Sequence, residues 1–212
     1  MTSSSPTQEP AASPAKSAAP ASASSLTALI DRRADYPAIS AYLDALSSDE
    51  RLAQMLAVDH GRVSRLYDAV KGGPAVTLDD FFPKSIPDGV TLILEGRNSL
   101  PMFTHFQKRF CRRDGVVVGF NFQTMSFVTG PGYFVTTAGD DTHPGELLFD
   151  YTQEPPFIPE GWPAYKPNAK GLSRAVYYNM KDYCRSVATG VVVGAAFKGG
   201  AAQNAYFSLT RA

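Results

Sequence analysis

The sequence predicts an α+β protein: an N-terminal helical hairpin followed by an antiparallel β-barrel. Three observations carry that expectation. Residues 26–74 repeat apolar side chains at helical spacing. From Val90 onward, short segments rich in Val, Tyr, Phe and Thr alternate with Gly, Pro, Asn and Asp. Those segments are closely spaced, which favours antiparallel pairing and a sheet closed on itself. The 212 residues are 44% hydrophobic and 11% aromatic, enough to fill a core. The expected division is a disordered tail (1–25), a helical hairpin (26–74) and the barrel domain (75–212).

The tail is almost entirely Ser, Ala, Pro and Thr, and such a segment cannot repay its ordering entropy. It has neither the basic start and apolar run of a secretory signal nor the Arg of a transit peptide. The expected location is cytoplasmic, with Cys111 and Cys184 reduced.

In the helical region, Leu26, Leu29 and Ile30 begin an apolar stripe that resumes at Ile39, Tyr42, Leu43 and Leu46. Pro37 implies either a kink or two short helices. Ser47 and Glu50 have capping-box spacing, and Leu52, Met55, Leu56, Val63, Leu66, Tyr67 and Val70 continue a second helix to Gly72-Gly73-Pro74. Two one-sided helices need a partner surface, and the barrel is the expected one.

Strands are expected at Val90–Glu95, Val116–Phe122, Met125–Val128, Tyr133–Thr137, Glu146–Thr152, Leu172–Asn179, Val191–Phe197 and Asn204–Thr210. Leu100–Arg112, with Phe103, Phe106 and Phe110, is expected to form a short helix or loop-helix over one barrel end. Gln153–Gly171 is a long Pro-containing loop carrying Trp162 and Tyr165, of a length typical of lids and Ω-loops.

The segment from Gly171 through Tyr177, Tyr178, Asp182, Arg185 and Val187, then Gly190–Gly194 and Ala205–Arg211, resembles the closing strands of lipocalin-like barrels. The nearest pattern is the GXWXG group of small bacterial barrel proteins, over the C-terminal third only. The Gly-x-Trp-x-Gly motif itself is absent, and Trp162 sits in the long loop. The resemblance implies a lipocalin-like hollow barrel able to hold a small apolar molecule.

Charge narrows the function. Twenty basic and twenty acidic residues balance, which removes the usual electrostatic case for nucleic acid. The longest apolar run, Val191–Phe197, is far shorter than a membrane span. His60, His105 and His143 are isolated from other metal-ligand types, so no metal and no cofactor is expected. His60 and His143 read as solvent-facing, whereas His105, among phenylalanines, is a pocket candidate. Ser173 has only part of a nucleophile-elbow pattern and no histidine follows it. Cys111 lies among cations that would activate a thiol, against the plainer reading of a structural cysteine. Arg97, Lys108, Arg109, Arg112 and Arg113 form a basic stretch, read as a solvated rim or a seat for an anionic group.

The main site expectation places Tyr151, Arg174, Tyr178 and Asp182 in one pocket beneath the Gln153–Gly171 loop, with His105 as a further member. Arg174 read on a strand and facing inward requires a buried acceptor, Asp150 or Asp182. The expected function is binding of a small apolar or amphipathic molecule, the oligomeric state being open. Two alternatives stand beside it. One is a cofactor-free isomerase, cyclase or dehydratase, with Tyr151 or Tyr178 as proton donor and Asp182 or His105 as base. The other is a protein-interaction module with a solid barrel.

Overall fold

Eight antiparallel strands close into one barrel in sequence order, with β8 returning to pair with β1. They are β1 (Thr91–Asn98), β2 (His105–Arg113), β3 (Val116–Phe122), β4 (Tyr133–Ala138), β5 (Leu147–Asp150), β6 (Met180–Ala188), β7 (Val191–Lys198) and β8 (Ala201–Arg211). This is the strand number and up-and-down order of lipocalin-like barrels. The computed structural model describes residues 25–100, 104–122 and 130–211, together with Met1. Most of the N-terminal tail and the expected strand Met125–Val128 lie outside the described residues.

Three assignments differ from expectation. Within Leu100–Arg112 the described residues from His105 onward form β2 in place of the expected helix, which puts Phe106, Lys108 and Phe110 on the inner face at the period of two that defines a strand. Leu172–Asn179 is not a strand but carries the short helix α6 (Ser173–Tyr177), after which Asn179 takes a positive φ of 55° and the chain enters β6. Residues 180–188, without a strand of their own in the sequence reading, are β6, paired with both β5 and β7.

The N-terminal region forms α1 (Leu26–Asp31), α2 (Tyr36–Asp44), α3 (Ser48–Leu56) and α4 (His60–Ala69) rather than two long helices. Caps explain the breaks. The Ser25, Asp35 and Asp59 side chains each accept a backbone N–H in the first turn, and Ser47 with Glu50 completes the expected capping box. Pro37 falls in the first turn of α2, where its missing N–H costs no helix bond. The helices pack outside the barrel, against β6, β7, β8 and β1. Their buried stripe runs through Leu26, Leu43, Met55, Val63 and Leu66 onto Val187, Val191, Val193 and Ala195. Met55 is fully buried there, while Leu56 is only half-buried.

The rest of the wall has a different cover. The loop after β5 wraps the outer face of β3 and β4, where the Trp162 ring lies 4.6 Å from that of Phe120 and its Nε1 donates to Thr91. Asn168 Nδ2 pins this loop by donating to the carbonyls of Tyr133 and Tyr151, both at 2.8 Å. The loop therefore clads the wall instead of roofing the pocket with Trp162 and Tyr165, as the sequence suggested.

Inside, one end of the barrel is closed by α5 (Leu78–Phe81), whose Phe81 ring meets Phe110 at 4.9 Å and Phe149 at 5.6 Å. Phe134 and Phe207 fill the middle, each over a glycine on the paired strand. A Cβ on Gly119 would stand 2.5 Å from the Phe134 ring, and one on Gly194 would stand 2.4 Å from Phe207. Only glycine lets these rings lie flat across the lumen.

Candidate functional site

Above that aromatic layer, four polar side chains from four strands or strand ends converge. Lys108 comes from β2, Asn121 from β3, Tyr151 from the end of β5 and Asp182 from β6. Strand alternation aims each inward: Lys108 lies between Phe106 and Phe110, and Asp182 two residues before Cys184. Lys108 is 2% exposed and Asp182 3%, so both charges are out of water. Such burial is tolerated only with a partner. Lys108 Nζ donates to Asp182 Oδ2 at 3.0 Å and to the Tyr151 hydroxyl at 2.5 Å. Tyr151 in turn donates to Asp182 Oδ2 at 3.1 Å, and Asn121 Nδ2 bridges the Tyr151 oxygen and the Gly132 carbonyl, both at 3.2 Å. The rings of Phe134, Phe149, Tyr151 and Phe207 surround the ammonium at 4.8 to 5.2 Å. Burial, together with the Asp182 charge, pushes the Tyr151 hydroxyl well above its ordinary range, so it stays protonated.

This cluster opens on a cavity of about 280 Å³ at the barrel mouth. Its apolar walls include Phe106, Val176, Tyr177, Met180, Ala196 and Phe207. The small helix α6 covers the mouth, with the Tyr177 ring stacked on Tyr151 at 5.4 Å and only 6° from parallel. Asp182 Oδ1 is buried and has no hydrogen-bond partner among the described residues. A hollow of about 290 Å³ outside the wall, beside α2 and the β6–β7 turn, is chemically quieter. There Asp44 already accepts the Thr189 N–H and Asp80 caps α5.

The structure brings together two of the five expected site residues, Tyr151 and Asp182. Arg174 and Tyr178 both stand on the exposed side of α6, where the guanidinium lies 5.0 Å over the Tyr178 ring. Arg174 pairs with neither acidic residue, because a helix, not a strand, sets its direction. Asp150 is buried but accepts from Thr152 and Gln153 in its own turn. His105 opens β2 on the exposed outer face, opposite in parity to Phe106. His143, expected in solvent, is half-buried and stacks on Tyr183 at 3.8 Å. Cys111 is fully buried, and burial raises its thiol, the reverse of activation.

The missed residues are Lys108 and Asn121. The alternation Phe106-x-Lys108-x-Phe110 held the signal: a lysine on the apolar face of a strand. Neighbouring cations mask that signal in the sequence, yet in the fold the basic stretch disperses. Arg112 pairs with Asp88, Arg109 lies over Phe122, Arg113 over Phe157, and Arg97 donates to the Val58 carbonyl. Among the described residues, no group of His, Cys, Asp and Glu could hold a metal ion, and no helix is long and apolar enough to cross a membrane. Compared with protein-family models, curated proteins and solved structures, the chain matches none.

Proposed function

We propose that the barrel binds a small amphipathic molecule at its mouth, apolar body against the aromatic walls and polar head on the Lys108–Asp182–Tyr151–Asn121 cluster. One observation carries the reading: a buried carboxylate oxygen, Asp182 Oδ1, has no partner among the described residues, at a cavity whose walls beyond the cluster and Asn98 are largely apolar. An unsatisfied buried acceptor is costly, and a ligand hydroxyl or N–H would remove that cost. An apolar cavity of roughly 150 Å³ accepts benzene. About 280 Å³ therefore suits a body of one or two rings, or a short branched chain. Kinship with the GXWXG group is part of this proposal only through the closing strands β6, β7 and β8. A cofactor-free acid–base enzyme would draw on the same cluster, with Tyr151 as the proton donor and Asp182 as the base.

The test uses 2-naphthalenemethanol, a two-ring alcohol, followed by its fluorescence. It should saturate one site per chain. Ala196→Phe, which places a ring in the cavity from β7, should weaken binding more than tenfold while the circular dichroism spectrum is kept. Equal binding to that variant, or none to the parent, overturns the reading.

A further inference from the structure

Resting on that binding site, we infer that Lys108 is a covalent-catalytic residue: its amine condenses with the carbonyl of a small aldehyde or ketone to form an imine. The geometry supplies each part such chemistry needs. A lysine amine becomes a nucleophile when desolvated in an apolar pocket beside a group that takes its proton. Lys108 lines the cavity, is 2% exposed, and stands 3.0 Å from Asp182 Oδ2. The Tyr151 hydroxyl touches both, at 2.5 Å from Nζ and 3.1 Å from the carboxylate, and so can relay protons between them. Asn121 holds that hydroxyl in place. A solely structural ion pair would need neither the cavity nor the unpartnered Oδ1 of Asp182.

The step balances without an oxidant or reductant. Lys108 gives one proton to Asp182, and its lone pair attacks the carbonyl carbon, forming the C–N bond as the C=O π pair moves onto oxygen. That oxygen takes the proton from Asp182. The nitrogen then gives a second proton to Asp182, leaving a neutral carbinolamine. Asp182 returns that proton to the hydroxyl, which leaves as water while the nitrogen lone pair completes C=N. Ammonium and carbonyl have become iminium and water, and the iminium remains paired with the Asp182 carboxylate. Such an iminium is an electron sink, so bond-making and bond-breaking at the adjacent carbon is the class of reaction it would serve.

The experiment treats the full chain with 2-naphthaldehyde and sodium cyanoborohydride, which reduces the iminium to a secondary amine. Intact mass should rise by the aldehyde less its oxygen, once per chain, and peptide mapping should place the adduct on Lys108. Saturating 2-naphthalenemethanol should suppress it. Tyr151→Phe, which keeps the aromatic ring beside Tyr177, should slow trapping at least tenfold when the two chains are compared at saturating aldehyde. If the alcohol binds but the aldehyde labels only exposed lysines such as Lys84, the imine is overturned and the binding reading stands. If the alcohol does not bind at all, the binding reading itself falls. The unmodified chain carries the decisive mapping, so a poorly folding Lys108 variant cannot obscure it.

Discussion

The barrel interior and the layer between barrel and helices are both hydrophobic, yet they are built from different side chains. The interior is a ladder of rings, Phe81, Phe110, Phe134, Phe149 and Phe207, and it contains a buried ion pair and a cavity. The outer layer is aliphatic: among its buried members Leu, Ile, Val, Met and Ala predominate, with Tyr67 the ring. Strand β7 serves both. Val191, Val193 and Ala195 face the helices, whereas Val192, Gly194 and Ala196 face the lumen. Two-sided burial explains why its sequence is a continuous apolar run with no polar alternation. The difference is geometric. Helices approach a sheet closely only over small, regular side chains, while eight strands enclose a lumen that needs rings to fill it or a guest to share it.

The largest expected effect breaks the comparison at the ion pair. Lys108→Met leaves Asp182 as an unpaired buried charge and should cost about 3–5 kcal/mol in urea unfolding. Adding Asp182→Leu should recover much of that loss, because removing both charges also removes their desolvation cost. A double variant as unstable as the single would show that shape, not charge, sets the lumen's stability.

Next, Leu43→Ala empties a fully buried site in the outer layer and should cost about 2–5 kcal/mol. Affinity for 2-naphthalenemethanol should not change, since α2 lies outside the wall. An affinity change of more than a few-fold would show that the two layers are coupled through β6 and β7.

The smallest effect sharpens the contrast at the surface. Asp140 accepts from Thr142, Tyr183 and Lys181, and these bonds hold its carboxyl far below the usual carboxylate range. Its stabilisation is therefore complete above the unfolded carboxyl value, about 4, and is lost as pH falls toward the folded one. Asp140→Asn should lower Tm modestly at pH 7, and the gap to the parent should narrow between pH 5 and pH 3. A gap that is constant with pH would assign the loss to geometry, not charge.

Much of the wall was legible in advance because strand alternation and turn residues are local. Val116–Phe122 matches β3 in extent, and the β1, β4, β5, β7 and β8 segments differ only at their ends. The candidate site was half legible. Tyr151 and Asp182 were named, but Arg174 and Tyr178 were misplaced because their segment folds as α6. Short apolar segments carry no length to separate one helical turn from a strand. The same ambiguity hid β2, and with it Lys108.

The sequence by itself determined the α+β order, the capping box at Ser47 and Glu50, and an aromatic-rich closing sheet. These follow from interactions within a few residues. Only the tertiary structure decided which polar groups meet, since Lys108 and Asp182 lie 74 residues apart and touch only when β2 and β6 face each other across the closed lumen. Burial then gives their contact its character: in water the pair would be two solvated charges, whereas the ring-lined barrel makes lysine, carboxylate and tyrosine hydrogen-bond one another.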